Sequence, residues 1–262
     1  MKFEKKYTEY WKQNISNPID GLKIADLNEV MHFLPLLKIE KQDKILDLGC
    51  SFGRMFEILN RYSDNIYGID PDNFAVENAI KKGYTNVKVG NADNIGFTDK
   101  YFDKIFCWAV YDVVDHYNGL IEANRVLKTN GRILITGKND CYFEDDKLAF
   151  KAEKNAFLKS FPNHFVDMKL FLNNLQEIGF ELENLFLFPR RGDFGKLKYV
   201  KINLLADNFE GYEYLMTLKK IKTIKNSNYI KFDNPHSKTA LVIANKNGLT
   251  DVGDYFFKLG ID

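Results

Sequence analysis

The segment KILDLGCSFGRM, residues 44–55, limits what this chain can fold into more than any other part of it. Residues 45–48 form a short β-rich run that is apolar apart from Asp47. Gly49, Ser51 and Gly53 follow at alternate positions, and a helical pattern begins at Arg54. Small residues spaced in this way let a backbone approach where a side chain would collide. A strand that passes through such a turn into a helix opens an α/β unit, and open sheets of that kind bind ligands at the carboxyl ends of their strands. Taken alone, the turn has two readings, a ligand-binding loop and a tight strand-to-helix connection.

The following residues repeat the unit. β-rich runs at 45–48, 65–69, 86–89, 104–107 and 132–136 are bounded by Gly, Asp or Asn, and most are too apolar to keep one face in water. Helical patterns lie between them. In 54–62, Met55, Leu59 and Tyr62 share one stripe. The pattern at 71–82 opens on Pro71 and closes at Gly83, and that at 118–128 ends before the turn pair Asn130-Gly131. Strand alternating with helix predicts a parallel sheet with right-handed crossovers. Beyond Thr136 the rhythm loosens. Helices are predicted at 147–161 and 167–178, a strand at 181–188, an irregular stretch at 189–235 and a last strand at 239–244. The expectation is one domain over residues 1–262: a helical N-terminal extension (1–43), a core (44–138), substrate-side helices and a strand (139–188), an insertion (189–235), and the last strand with a tail (236–262).

Charge narrows the partners. Lys+Arg 37 against Asp+Glu 36 leaves a net +1, whereas a surface built for nucleic-acid phosphates carries a basic excess. Cys50, Cys107 and Cys141 are widely spaced, so neither a disulfide framework nor a zinc cluster is expected, and no metal site is read from the sequence. The N-terminus lacks the apolar core of a signal peptide, and no apolar run approaches the roughly 20 residues that span a bilayer. A cytoplasmic protein without membrane contact is expected. Only six of the basic residues are arginine, and with 22 Phe and 14 Tyr this usage points to AT-rich bacterial coding.

Asp70 closes the second run. A carboxylate at the tip of strand two can accept hydrogen bonds from both hydroxyls of a ribose; capping the helix that starts beside Pro71 is the other role open to it. The turn does not have the GxGxxG spacing of dinucleotide enzymes. Its DxGx(small)xG pattern at 47–53, with Asp70 after it, resembles class I S-adenosylmethionine-dependent methyltransferases of the small-molecule type. Three more segments carry the resemblance in order: VGNADNIGF at 89–97 is similar to the family's GDAxxLPF loop, YFDKIFC at 101–107 to its FDxIxx strand, and RVLK with Gly131 and 132–136 to its RVLKPGGRLLIT segment.

The resemblance implies a Rossmann-like α/β sheet of seven strands with the last antiparallel, flanked by helices, with an N-terminal helical lid and an insertion before the last strand. It implies S-adenosylmethionine as cofactor and S-adenosylhomocysteine as product. Gly49, Ser51 and Gly53 would line the methionine and ribose part, Asp47 would orient the turn or the cofactor's amino group, and Asp70 would hold the ribose. Ala92, with Asn91 or Asp93, would face the adenine, and Trp108 with Ala109 would lie near the methionine end. Two positions depart from the pattern. Ser51 stands for the middle glycine and Asn91 for a commoner Asp, which predicts weaker or adjusted binding rather than loss.

Methyl transfer asks mainly for alignment and exclusion of water. A base is needed only where the accepting oxygen or nitrogen holds a proton. The run at 108–117 offers His116 first, since imidazole titrates near neutrality, with Asp112 and Tyr111 as alternatives. His116 reads equally as a helix-start residue paired with Asp115, and His32, His164 and His236 read as structural. The Pro-Pro-Tyr/Phe signature of amino-methylating nucleic-acid enzymes is absent after strand four, which with the charge argues against a nucleic-acid partner. Tyr7, Tyr10 and Trp11 recur at helical spacing and read as a lid over cofactor and substrate or as a packed helix. Arg190 and Arg191, with Lys196 and Lys198, read as a phosphate or carboxylate site or as a solvated cluster. The expected activity is methylation of O or N on a small metabolite, anionic or linked to a sugar or nucleotide, as in bacterial surface-polysaccharide modification. The alternatives are a methyltransferase-like protein that binds cofactor without turnover and an NAD(P)-dependent oxidoreductase.

Overall fold

The computed structural model describes residues 27–159, 163–202, 209–224 and 228–258. Its parallel part is β1 (Lys44–Leu48), β2 (Asn65–Asp70), β3 (Val87–Val89), β4 (Phe102–Cys107) and β5 (Leu127–Asn139). After these come β6 (Phe165–Val166), β7 (Phe180–Phe188), β8 (Val200–Lys201), β9 (Glu213–Lys220) and β10 (Asp233–Asn234). The order across the sheet is β3-β2-β1-β4-β5-β9-β7-β8. The first five neighbours run parallel, and β9 slots antiparallel between β5 and β7. β6 pairs parallel with the last two residues of β5, and β10 pairs antiparallel with β6.

Period-two alternation sends the strand residues into two separate cores. Leu46, Leu48, Ile105, Cys107, Ile133 and Ile135 face one side, and Ile45, Phe106 and Leu134 face the other. The first side is covered by α4 (His116–Val126) and α6 (Met168–Asn174), the second by α1 (Leu27–Phe33), α2 (Phe56–Leu59) and part of α3 (Asn73–Lys81). α5 (Lys147–Leu158) packs instead on α7 (Lys238–Lys246) and α8 (Val252–Lys258), where Phe157 and Phe256 meet. Among the described residues no helix is long and apolar enough to cross a membrane.

Two expected elements change. The run Thr-Ala-Leu-Val-Ile-Ala at 239–244 is helical and belongs to α7. Ser237 caps it, its hydroxyl accepting from Ala240 N at 2.9 Å, and Gly248 at φ +76° follows its end. The antiparallel strand of the main sheet is β9, which lies inside the stretch read as irregular, and only the two-residue β10 follows it. The β9 residues are buried on both faces, and EYLMTLKK shows neither alternation nor a continuous apolar stretch; pairing with β5 and β7 makes it a strand. The segment before β9 is accordingly 189–212. The predicted helix at 54–62 keeps regular form only over Phe56–Leu59.

Candidate active site

The cofactor side starts at the end of β1. Gly49 N and Cys50 N both donate to Ile69 O, at 2.9 and 3.0 Å, which pulls the glycine turn onto β2. Gly49 and Gly53 have φ of +79° and +73°, and Ser51 shares the left-handed region at +49°. A Cβ on Gly49 would stand 2.3 Å from Val110 Cγ2, so the fold itself demands glycine there. Asp47 is buried at the strand end, accepts from Tyr84 Oη at 3.0 Å, and is pushed by burial up to about 7.

Asp70 sits at the tip of β2, 2% exposed. Its two oxygens accept one backbone amide each, from Ser51 N and Asp72 N, both at 2.9 Å. The helix cap is the neighbour Asp72, which accepts from Phe74 N at 3.1 Å. Burial pushes Asp70 up to about 6 despite the amides of Asp72 and Ser51. A carboxylate oxygen has two acceptor positions, so each retains capacity for a hydroxyl. The 91–97 loop beyond β3 is pinned from α4: Ile95 N donates to Glu122 Oε2 at 3.0 Å, and Arg125 donates to Phe97 O at 2.7 Å. Within it Ala92 is buried, Asn91 half-buried and Asp93 exposed. This donor set fits an adenosine-bearing cofactor: Asp70 suits the ribose, and the pinned loop carrying Asn91, Ala92 and Asp93 suits the adenine.

A cavity of about 320 Å³ lies between the residues after β4, the end of β5, the start of β9 and the loop after β7. Trp108, Asp112, Lys138, Arg191, Glu213 and Tyr214 are among its walls. Trp108 stacks on Phe106 with ring centroids 5.7 Å apart and takes the edge of Phe194 at 5.3 Å. Ala109, at φ +55°, donates its amide to Thr136 Oγ1 at 2.7 Å. Asp112 lies 3.2 Å from Lys138 Nζ, which also donates to Asn163 Oδ1 at 2.8 Å. Burial alone would lower the Lys138 pKa, but Asp112 and its neighbours outweigh it and hold the ammonium above its ordinary value.

The proposed catalytic trio separates. Asp112 reaches the cavity wall; Tyr111 and His116 are buried. His116 does not pair with Asp115, which caps α4 through Asn118 N at 2.9 Å. Its Nε2 instead meets Tyr214 Oη at 3.0 Å, behind the wall. The arginine pair also splits. Arg191 lines the cavity, whereas Arg190 grips the exposed Asp145 with two hydrogen bonds at 3.0 and 3.1 Å. Tyr7, Tyr10 and Trp11 lie outside the described residues. Sequence reasoning missed Lys138, Glu213 and Tyr214 as cavity residues. The last two sit on β9, whose strand character was hidden, and Tyr214 Oη fits only because Gly137 carries no Cβ, which would lie 2.5 Å away.

Residues 46–135 match the family model described as a methyltransferase domain. An uncharacterized protein of Methanocaldococcus jannaschii, MJ1252, is 31% identical over 174 residues, covering 57% of this chain and 66% of that one. A tRNA U34 carboxymethyltransferase of Nautilia profundicola is 32% identical over 108 residues, covering 38% and 36%. The chain thus spans 66% of the first relative's length and about a third of the second's. Among solved structures, a SAM-dependent methyltransferase of Thermotoga maritima, described as a possible histamine N-methyltransferase, aligns with TM-score 0.56 at 22% identity over 83% of this chain and 98% of that one. Residues 46–135 thus carry a methyltransferase domain, and the strand order, with the glycine turn after β1 and Asp70 at the tip of β2, is that of the class I S-adenosylmethionine-dependent methyltransferase fold.

Proposed function

We propose that this chain methylates an oxygen or nitrogen of a small acceptor seated in the cavity beyond β4 and β5. Bound S-adenosylmethionine supplies an electrophilic methyl group on a sulfonium. Asp70 holds the ribose hydroxyls, and Asn91, Ala92 and Asp93 receive the adenine. Gly49, Ser51 and Gly53 form the turn beneath, with Asp47 behind it. Trp108 presents an aromatic wall of the kind that favours a cationic group. Asp112, on the cavity wall 3.2 Å from Lys138 Nζ, takes the proton from the acceptor.

The observation that carries this reading is the cavity itself, which joins the residues after β4 to a wall bearing Lys138 and Arg191. Lys138 is engaged by Asp112 and Asn163, so Arg191 is the cation on that wall that supports an anionic acceptor, such as a sugar- or nucleotide-linked metabolite of a surface-polysaccharide route, handled in the cytoplasm. Arg191 keeps guanidinium donors beyond the one that meets Tyr212 Oη at 3.2 Å. Calorimetry with S-adenosylmethionine, S-adenosylhomocysteine and NADH tests the cofactor. Binding of the first two without NADH is expected; binding of NADH alone overturns the reading. A screen of phosphorylated and sugar-linked acceptors with methyl-labelled cofactor then tests the substrate class, and labelling confined to neutral or cationic acceptors would sink the anionic assignment.

A further inference from the structure

Behind the cavity wall, three residues far apart in the chain converge: His116 at the start of α4, His164 just before β6, and Asp233 in β10. One ligand atom from each lies within 4.8 Å of the other two. His116 Nδ1 is 3.6 Å from Asp233 Oδ2, and His164 Nδ1 is in direct contact with the same carboxylate oxygen. His116 and Asp233 are 1% and 2% exposed, and His164 opens partly to solvent.

Two buried atoms in this cluster have no hydrogen-bond partner, His116 Nδ1 and Asp233 Oδ1. Such orphaned polar atoms are costly in a protein interior. The tautomer sharpens the point. When His116 Nε2 donates to Tyr214 Oη at 3.0 Å, Nδ1 is left as a lone pair aimed at a carboxylate. Two facing lone pairs repel unless a cation lies between them. Metal-bound histidines are commonly held this way, with the far ring nitrogen donating to a neighbouring polar group that fixes the ring.

We propose that His116 Nδ1, His164 Nδ1 and the Asp233 carboxylate form a binding site for a divalent transition-metal ion, with zinc the best match. Two imidazoles and one carboxylate suit such an ion better than calcium or magnesium, which favour oxygen ligands. Ligand atoms of a tetrahedral zinc stand about 3.4 Å apart, given bonds of about 2.0–2.1 Å, close to the 3.6 Å between His116 and Asp233. Three protein ligands leave one position, which the partly exposed side at His164 gives to water. The ion ties α4, β6 and β10 together directly behind Tyr214 and so braces the cavity wall. The spacing of the three residues carries no motif, which is why no metal was read from the sequence.

The test is metal binding by the full chain, independent of any methyl acceptor. Protein stripped with a chelator is titrated with zinc chloride against a chromogenic zinc indicator, and bound metal is counted by mass spectrometry. One zinc per chain is expected, with a rise in melting temperature on loading. Cobalt(II) in its place should give the visible bands of a tetrahedral site. His164→Gln, at a partly exposed position, should keep the fold by circular dichroism and weaken zinc by more than about tenfold, the lower end of what losing even an outer-shell partner costs. Asp233→Asn should do the same, while His32→Gln, at a histidine hydrogen-bonded to Tyr199, should change nothing. A chain that holds no zinc, or one whose zinc is kept equally by His164→Gln and Asp233→Asn, overturns the proposal.

Discussion

The two ends of the sheet are built on different principles. On the cofactor side the important contacts join neighbours in the chain: Asp70 holds the amides of Asp72, two residues on, and Ser51, nineteen back. On the acceptor side the cavity gathers Trp108, Lys138, Arg191 and Tyr214, spread over more than a hundred residues. A turn that must grip a constant cofactor is encoded as a local motif with left-handed glycines. A cavity that must suit a particular acceptor is assembled from strand ends and loops, each free to vary. The His116, His164 and Asp233 cluster belongs to the second kind.

Gly49 offers the hardest blow to the local side. Gly49→Ala places a Cβ 2.3 Å from Val110 Cγ2 at φ +79°, and about 2–4 kcal/mol of stability should go in a denaturant titration. Adding Val110→Ala should return the steric part and leave the backbone cost of about 1–2 kcal/mol. Full recovery would mean that the turn is not strained at all.

Asp70→Ala should weaken S-adenosylhomocysteine binding by about 30- to 100-fold in calorimetry, the scale of hydrogen bonds to a charged group. Unchanged affinity would overturn the ribose assignment. The pH dependence follows from the raised value of about 6. Above it the carboxylate is ionised and accepts from amides and hydroxyls together; below it the added proton removes an acceptor position. Affinity should therefore be full at neutral pH and fall as pH drops through about 6, and Asp70→Asn should abolish that inflection.

Arg191 and Arg190 separate the distributed side from its surroundings. Once the screen has found an acceptor, Arg191→Ala should raise its KM by about tenfold, as for loss of a charge-assisted contact. Arg190→Ala, which loses an exposed pair with Asp145 and a contact over the Phe143 ring, should alter KM and melting temperature little. Equal effects would show that the cavity does not select for the anion. The smallest change is expected at Ser51. Ser51→Gly relieves a left-handed serine at φ +49° and should gain up to about 1 kcal/mol, partly offset by the freedom of glycine in the unfolded chain. A fall in melting temperature would place a necessary contact on the serine side chain.

Much of the first half was legible because its signals are local. Alternating apolar runs, Pro71 and Gly83 around α3, and the spacing from Asp47 to Asp70 all act within a few residues of where they are read. Residues 239–244 and β9 went the other way. Thr239 through Ala244 look β-like by composition, yet Ser237 supplies a cap and half of that apolar surface stays exposed, as Leu241 and Val242 show. β9 is buried on both faces like β1 and β4, but Glu213, Thr217, Lys219 and Lys220 break up its apolar run, so it shows neither alternation nor a continuous apolar stretch. His116 was placed at the right helix start but with the wrong partner, because Tyr214 and Asp233 lie 98 and 117 residues away.

What the sequence by itself determined is the first half of the sheet: the parallel strands, the glycine turn, Asp70 at the tip of β2, and the resemblance to a methyltransferase domain that they carry. These rest on backbone conformation and on short continuous apolar runs, which neighbouring residues control. What only the tertiary structure decided is the acceptor cavity, the position of the antiparallel strand β9, the separation of Asp112 from Tyr111 and His116, and the convergence of two histidines with Asp233. Those depend on which strand slides between β5 and β7, and long-range pairing leaves no periodic mark in the residues that take part in it.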